Sequence, residues 1–172
     1  RDVLGSRGLG DVYKRQTHGG VLIGADGGSH QCVEDLALMR AVPNMTILYP
    51  ADTTETKKCV EEAIQYKGPV YLRFGRLDSP EIYTGNRVCR AGIGKGTLVN
   101  EGQDITIVAV GDLVSRALEA ARIMEKDGIS ADVIDMASVK PMDEDLLLES
   151  VKKTGCACLL YTSPSPRDPK TS

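Results

Sequence analysis

The sequence predicts an α/β protein built from two successive units of alternating strand and helix. Three observations lead there. Short runs of strand-forming residues alternate with segments whose apolar residues recur at three- and four-residue spacing. Residues 78–96 lack sustained periodicity and contain Pro80, Gly85, Gly92, Gly94 and Gly96, so they divide the two series as a linker. With 172 residues and 41% hydrophobic composition, the chain has the length for one ordinary domain or two small ones.

In the first unit, Ser29 is placed to cap a helix over residues 30–41, with Val33, Leu36, Ala37 and Arg40 at helical spacing and Pro43 just past its end. Residues 46–49 read as a short strand. Asp52, followed three residues later by Glu55, forms a capping-box-like start to a second helix. Its predicted apolar face is Thr56, Cys59, Val60, Ala63 and Ile64. Gly68-Pro69 stops that helix before a strand over residues 70–74, and the alternation is that of a parallel sheet.

In the second unit, residues 104–110 are an almost continuous apolar strand of the kind buried on both faces. Residues 112–127 follow as a helix with Val114, Ala117, Leu118, Ala121 and Met124 inward and Gly128 as its terminal cap. A strand over residues 131–136 and a helix over residues 143–153 complete the alternation, and Cys156-Ala157-Cys158 reads as the start of a further strand. The two ends, residues 1–16 and 159–172, resemble translated sequencing-adapter sequence and are set aside from functional reasoning. Prolines 164, 166 and 169 remove backbone donors and disfavour regular structure in the second of them.

Composition excludes several classes. A formal net charge of −3 with interspersed signs gives no basic stripe for nucleic acid or anionic lipid, which leaves small molecules and other protein subunits as partners. No apolar stretch approaches the roughly 20 residues that span a bilayer, and no signal peptide is visible, so a cytoplasmic location is the expectation. Cys32, Cys59, Cys89, Cys156 and Cys158 are odd in number and unevenly spaced, which favours reduced thiols over a disulfide framework. Gly92-Ile93-Gly94-Lys95-Gly96 lacks the strand–loop–helix context of a phosphate loop and reads as linker.

The chemistry concentrates in Thr17-His18-Gly19-Gly20-Val21-Leu22-Ile23-Gly24-Ala25-Asp26-Gly27-Gly28-Ser29-His30-Gln31. This run holds both histidines of the chain. Its glycines remove side chains that would crowd His18, Asp26 and His30, and so present those polar groups to a ligand. On residue type alone the three suit a metal site, an acid/base cluster or a hydrogen-bonded loop. A neutral imidazole both donates and accepts, and an ionised carboxylate accepts two hydroxyls at once. Arg73 and Arg76 end the strand over residues 70–74. Lying three residues apart, they point to opposite faces, and the planar fork of either suits a phosphate, although charged residues at a strand end are usually solvated.

The glycine-rich run continues into Glu34-Asp35-Leu36-Ala37-Leu38-Met39-Arg40, Pro43-Asn44-Met45, Pro50-Ala51-Asp52 and Gly68-Pro69-Val70-Tyr71-Leu72-Arg73-Phe74-Gly75-Arg76. That ordered series resembles transketolase over residues 17–158, and especially the C-terminal subunit of split transketolases. The resemblance implies the end of a thiamine-diphosphate pyrimidine-binding domain over residues 17–80, a linker over 81–96 and part of a transketolase C-terminal α/β domain over 97–158. It implies transfer of a two-carbon ketol unit from a ketose phosphate to an aldose phosphate, as in the pentose phosphate pathway, with thiamine diphosphate and a divalent cation such as Mg2+. By the same resemblance His18 lies near the phosphate end of the sugar, Asp26 bonds a substrate hydroxyl, His30 sits beside the aminopyrimidine and the reacting carbons, and Arg76 grips the phosphate. No metal ligand is assigned to this chain. Where many family members carry glutamate, Ala25 stands here beside Asp26.

The pyrimidine-activating glutamate of the family lies upstream of Thr17, and the diphosphate and metal belong to another domain. The resemblance therefore implies an N-terminal transketolase subunit or domain as partner, a homo- or hetero-oligomer such as a dimer, and a fragment inactive alone. Two other readings stand beside it. One is 1-deoxyxylulose-5-phosphate synthase or a 2-oxo acid dehydrogenase β-like subunit, against which Gly28-Ser29-His30-Gln31 and the following Glu34–Arg40 series weigh. The other is a non-catalytic α/β regulatory or assembly subunit.

Overall fold

A computed structural model describes residues 13–17, 19–20, 31–85 and 87–160. They form two four-stranded sheets with helices on both faces. The first sheet has β1 (Tyr13–Gln16), β2 (Thr46–Leu48) and β3 (Val70–Arg73) all parallel, with β3 in the middle of the three. Helix α1 (Asp35–Ala41) precedes β2, and α2 (Thr53–Gln65) connects β2 to β3.

Side chains on a strand alternate between faces, and the packing follows that period. Ile47, Tyr49 and Tyr71 pack with Leu36 of α1 on one face. Leu48, Val70 and Leu72 pack with Cys59 and Ala63 of α2 on the other. The sheet is thus covered twice, which is why β2 and β3 are buried at every position rather than at alternate ones.

In the second sheet, β4 (Thr97–Asn100) runs antiparallel to β6 (Ala131–Asp135), while β5 (Ile105–Ala109) is parallel to both β6 and β8 (Ala157–Leu160). Helix α3 (Leu113–Lys126) buries Val114, Ala117, Leu118 and Ala121 against Ile107, Ala109 and Val133. Helix α4 (Glu144–Thr154) places Leu146 and Leu147 against Val108, Ile134 and Met136 on the opposite face. Asp143 caps α4 by accepting from the Leu146 amide, and Gly155 ends it in the left-handed conformation at φ 80°.

One strand joins the units. After β6, β7 (Ser138–Lys140) pairs antiparallel with β2 and completes the first sheet in the order β1-β3-β2-β7. Lys140 Nζ donates to the carbonyls of Arg40 and Val42 at 2.9 Å each, so a cation closes the C-terminus of α1. Arg40 returns a bond to the Val139 carbonyl at 3.0 Å.

Several sequence expectations need correction. Gln31–Glu34 are not helical; Cys32 bridges to Gly20 instead, and α1 begins only at Asp35 with Glu34 as an N-cap that makes no side-chain bond. The proposed Ser29 cap and His30 lie outside the described residues. The inward stripe of α2 runs along Glu55, Cys59 and Ala63, while Ile64 is 65% exposed, because the helix is turned to bring Glu55 inside. Residues 13–16 and 159–160, set aside with the ends, form β1 and the last half of β8. The described residues between 78 and 96 form no strand or helix, yet Ile82, Tyr83 and Cys89 are buried. Their packing follows from Asp52 Oδ2, which accepts the Ile82 and Tyr83 amides at 2.9 Å each. The five cysteines are free thiols.

Candidate functional site

Parallel α/β sheets bind ligands at the carboxyl ends of their strands, where loops rather than side-chain ridges face outward. In the first sheet that edge gathers Thr17 and Gly19 after β1, Tyr49 to Asp52 after β2, and Phe74 to Ser79 after β3. The Gly19 amide reaches the Phe74 carbonyl at 3.5 Å, and the Gly20 amide donates to the Cys32 carbonyl at 2.8 Å. These contacts bring the backbone on one side of His18 beside the end of β3.

A cavity of about 450 Å³ opens at this edge, lined by Pro50, Asp52, Gly75, Arg76 and Ser79 of the first half and by Asp112 at the head of α3. Both units therefore build its wall. Arg76 is exposed and is the one Lys or Arg among the described lining residues. Asp112 accepts from Tyr49 Oη at 2.8 Å and from Ser79 Oγ at 3.0 Å. Asp52 is likewise occupied, its Oδ1 by the Glu55 amide at 2.8 Å and its Oδ2 by the two linker amides. Burial, and next to it the Asp112 carboxylate against the opposing pull of Arg73, pushes the Tyr49 phenol well above its ordinary value, so it stays a neutral donor.

Behind the cavity lies a buried support. Arg73 donates through Nε to Asp35 Oδ2 at 2.7 Å and through Nη2 to Asp35 Oδ1 at 3.3 Å, and Tyr71 Oη adds a third bond to the same carboxylate at 2.8 Å. The guanidinium stacks 4.4 Å from the Tyr49 ring centroid. Gly19 rests on it so closely that a Cβ there would fall 2.7 Å from Nε. Gly75 likewise leaves no room for a Cβ beside Asp112. The two glycines are thus needed for close approach rather than for a turn.

Of the residues expected from sequence, Arg76 stands at the cavity and Arg73 faces away from it into the Asp35 pair. His18, Asp26 and His30 lie outside the described residues. Sequence reasoning missed Tyr49, Asp112 and Asp35. A lone Tyr after a strand and an Asp at a helix start carry no signal beyond core and cap, and only the fold shows that they meet.

The described residues do not fit a metal–diphosphate group. Of the three carboxylates lining the cavity, Asp52 and Asp112 already accept from donors, Arg76 is the sole cation among the described lining residues, and no group of three or more His, Cys, Asp or Glu among the described residues is placed to hold a metal ion.

The family model for the transketolase pyrimidine binding domain matches residues 11–81, and that for the transketolase C-terminal domain matches residues 94–164. A protein of Methanocaldococcus jannaschii named for a transketolase C-terminal section is 44% identical over 134 residues, 78% of this chain and 42% of that protein. The 1-deoxy-D-xylulose-5-phosphate synthase 1 of Geobacter sulfurreducens is 38% identical over 137 residues, 80% of this chain and 22% of that protein. Among solved structures, a split gene transketolase in an inactive beta4 tetramer superposes with a TM-score of 0.76 at 46% identity, covering 86% of this chain and 46% of that one. The chain spans less than half the length of each of these relatives.

Proposed function

Since the chain belongs to the transketolase family, carrying its pyrimidine-binding and C-terminal domains, we propose that it contributes the sugar-binding half of an enzyme that moves a two-carbon ketol unit between sugar phosphates. Family membership implies dependence on thiamine diphosphate. When bound, that cofactor supplies the electron sink that lets a carbon–carbon bond break.

The observation that carries the reading is the placement of Arg76 as the single described cation of a two-unit cavity at the carboxyl edge of the sheet, beside the segment containing His18. Arg76 takes the sugar phosphate through its planar fork. His18 assists at the phosphate end, Asp26 accepts substrate hydroxyls, and His30 moves protons at the reacting carbons. An N-terminal section supplies the diphosphate and metal ligands that the described residues lack. Likeness to a C-terminal section and to a split-gene structure favours ketol transfer over deoxyxylulose phosphate synthesis.

The test compares three samples with thiamine diphosphate, magnesium, a ketose phosphate and an aldose phosphate. They are the chain alone, the chain with an N-terminal transketolase section, and an upstream- and downstream-extended chain with that section. Transfer is expected only in the third. Cofactor binding without transfer in that sample would overturn the reading in favour of a non-catalytic assembly subunit.

A further inference from the structure

We propose that Glu55 of α2 and Asp135 of β6 share a single proton in the dry junction between the two units, and that this proton-binding site holds the junction closed. Three segments meet there: the first unit brings Glu55, the second brings Asp135, and the linker brings Tyr83. Glu55 and Asp135 are both 0% exposed.

Tyr83 Oη lies 2.8 Å from Asp135 Oδ2 and 3.3 Å from Glu55 Oε1. One hydroxyl carries one proton and serves one of these acceptors. Glu55 Oε2 is satisfied by the Ala51 amide at 2.8 Å, but its Oε1 has otherwise only the distant Cys89 thiol at 3.9 Å. Asp135 Oδ1 has no donor in reach although it is fully buried. Both carboxyls converge on the one Tyr83 hydroxyl, so two buried like charges would share a single donor proton if both were ionised. A proton between them satisfies the orphaned oxygen and removes one of two like charges from a low-dielectric site.

Among the described residues the surroundings offer no cation as a substitute. At the head of α2, Asp52 adds negative charge, and within the helix the Cys59 thiol is pushed up by burial and then by Glu55, with Glu62 adding to the effect on that thiol. Lys58 spends its ammonium on the Cys89 carbonyl. From the linker, the Cys89 thiol and the Tyr83 phenol are both raised, chiefly by burial, and stay neutral. The carboxyls of Glu55 and Asp135 are raised too, burial being the largest cause for each. They titrate as a pair. Because Asp52 lines the cavity and also holds the Tyr83 amide, the junction is continuous with the cavity wall.

The sign of the pH effect follows. In the unfolded chain both carboxyls ionise at their ordinary values; in the folded chain one keeps its proton to higher pH. Over that interval the folded state binds the extra proton, so stability is greatest in acid and falls as pH rises through the folded pair's titration.

The experiment uses the full chain. Urea unfolding is followed for the parent, Asp135→Asn and Glu55→Gln between about pH 5 and about pH 8. An Asn amide donates to Glu55 without a titrating proton, so the parent's unfolding constant is expected to rise against that of Asp135→Asn by up to about tenfold per pH unit. Parallel curves would overturn the proposal. Difference infrared on the parent at neutral pH is expected to show the carbonyl stretch of a protonated carboxyl, and its absence would overturn the proposal even if neither variant folds.

Discussion

Arg73 and Asp35 form an ion pair at 2.7 Å with their side chains 1% and 6% exposed, and this pair lies directly beneath the backbone that leads out of β1. A charge so placed is costly to leave alone. Asp35→Leu strands the guanidinium and is expected to cost about 3–5 kcal/mol, whereas the double change Asp35→Leu with Arg73→Met is expected to recover most of that loss. Urea denaturation midpoints of the two variants decide it. A double variant as unstable as the single one would show that packing, not charge, dominates here.

Gly111 precedes α3 at φ +52°, with the Tyr49 ring occupying the space where a Cβ would go. Gly128 has φ +79° but open space around it. Gly128→Ala therefore carries only the backbone penalty of a left-handed L residue, about 1–2 kcal/mol. Gly111→Ala carries that and a steric displacement of Tyr49 from Asp112, about 1–3 kcal/mol more. Thermal unfolding of the pair measures the difference.

The buried carboxyl of Asp132, paired with the more exposed Lys153, sets a pH dependence of the opposite sign to the Glu55–Asp135 site. Burial alone would raise this carboxyl, but Lys153 at 2.7 Å, the Ser150 hydroxyl and the Gly102 amide outweigh it and hold it below its ordinary value of 3.8. A depressed carboxyl contributes stability that is present above its unfolded value and lost as pH falls through the folded one. Lys153→Met is expected to destabilise the chain at neutral pH, with the deficit shrinking once Asp132 is protonated. Urea midpoints at neutral pH and below the ordinary Asp value test this; a constant deficit would assign the effect to lost packing.

What the sequence made legible was what periodicity and local chemistry determine. The apolar run of β5, the inward stripe of α3 and the Asp52 cap follow from nearest-neighbour rules, and the structure places them within a residue or two of expectation. Three kinds of feature were not legible. The strand Ser138–Lys140 is three residues beside a proline, and its partner β2 lies some ninety positions away, so no local pattern announces it. Arg73, Glu55 and Asp135 are buried charges, and residues of that type read as solvated until their partners are known. The linker hides the third: glycine spacing suggests looseness, but Ile82 and Tyr83 are drawn in by one Asp52 oxygen. At the candidate site the arginine was readable because only its residue type and strand position were needed. Asp112 was not, since it belongs to the other unit.

Arg76 is the residue on which the functional reading turns. As the sole described cation at the cavity, it should matter only to substrates that bring a phosphate there. In the complete, partnered enzyme, Arg76→Ala is expected to remove a charge-assisted contact of about 1.5–3 kcal/mol, which lowers kcat/KM for phosphorylated acceptors by roughly ten- to a hundredfold. Unphosphorylated acceptors should lose far less, because their binding draws on the hydroxyl contacts assigned to Asp26. Arg76→Lys keeps the charge but not the fork and should fall between, nearer to Ala if two phosphate oxygens are gripped at once. Comparing the two acceptor classes isolates phosphate recognition, and an unchanged urea midpoint for the variant shows that the edge still folds. Equal losses for both classes would remove Arg76 from the phosphate and leave the cavity without a described residue to hold one.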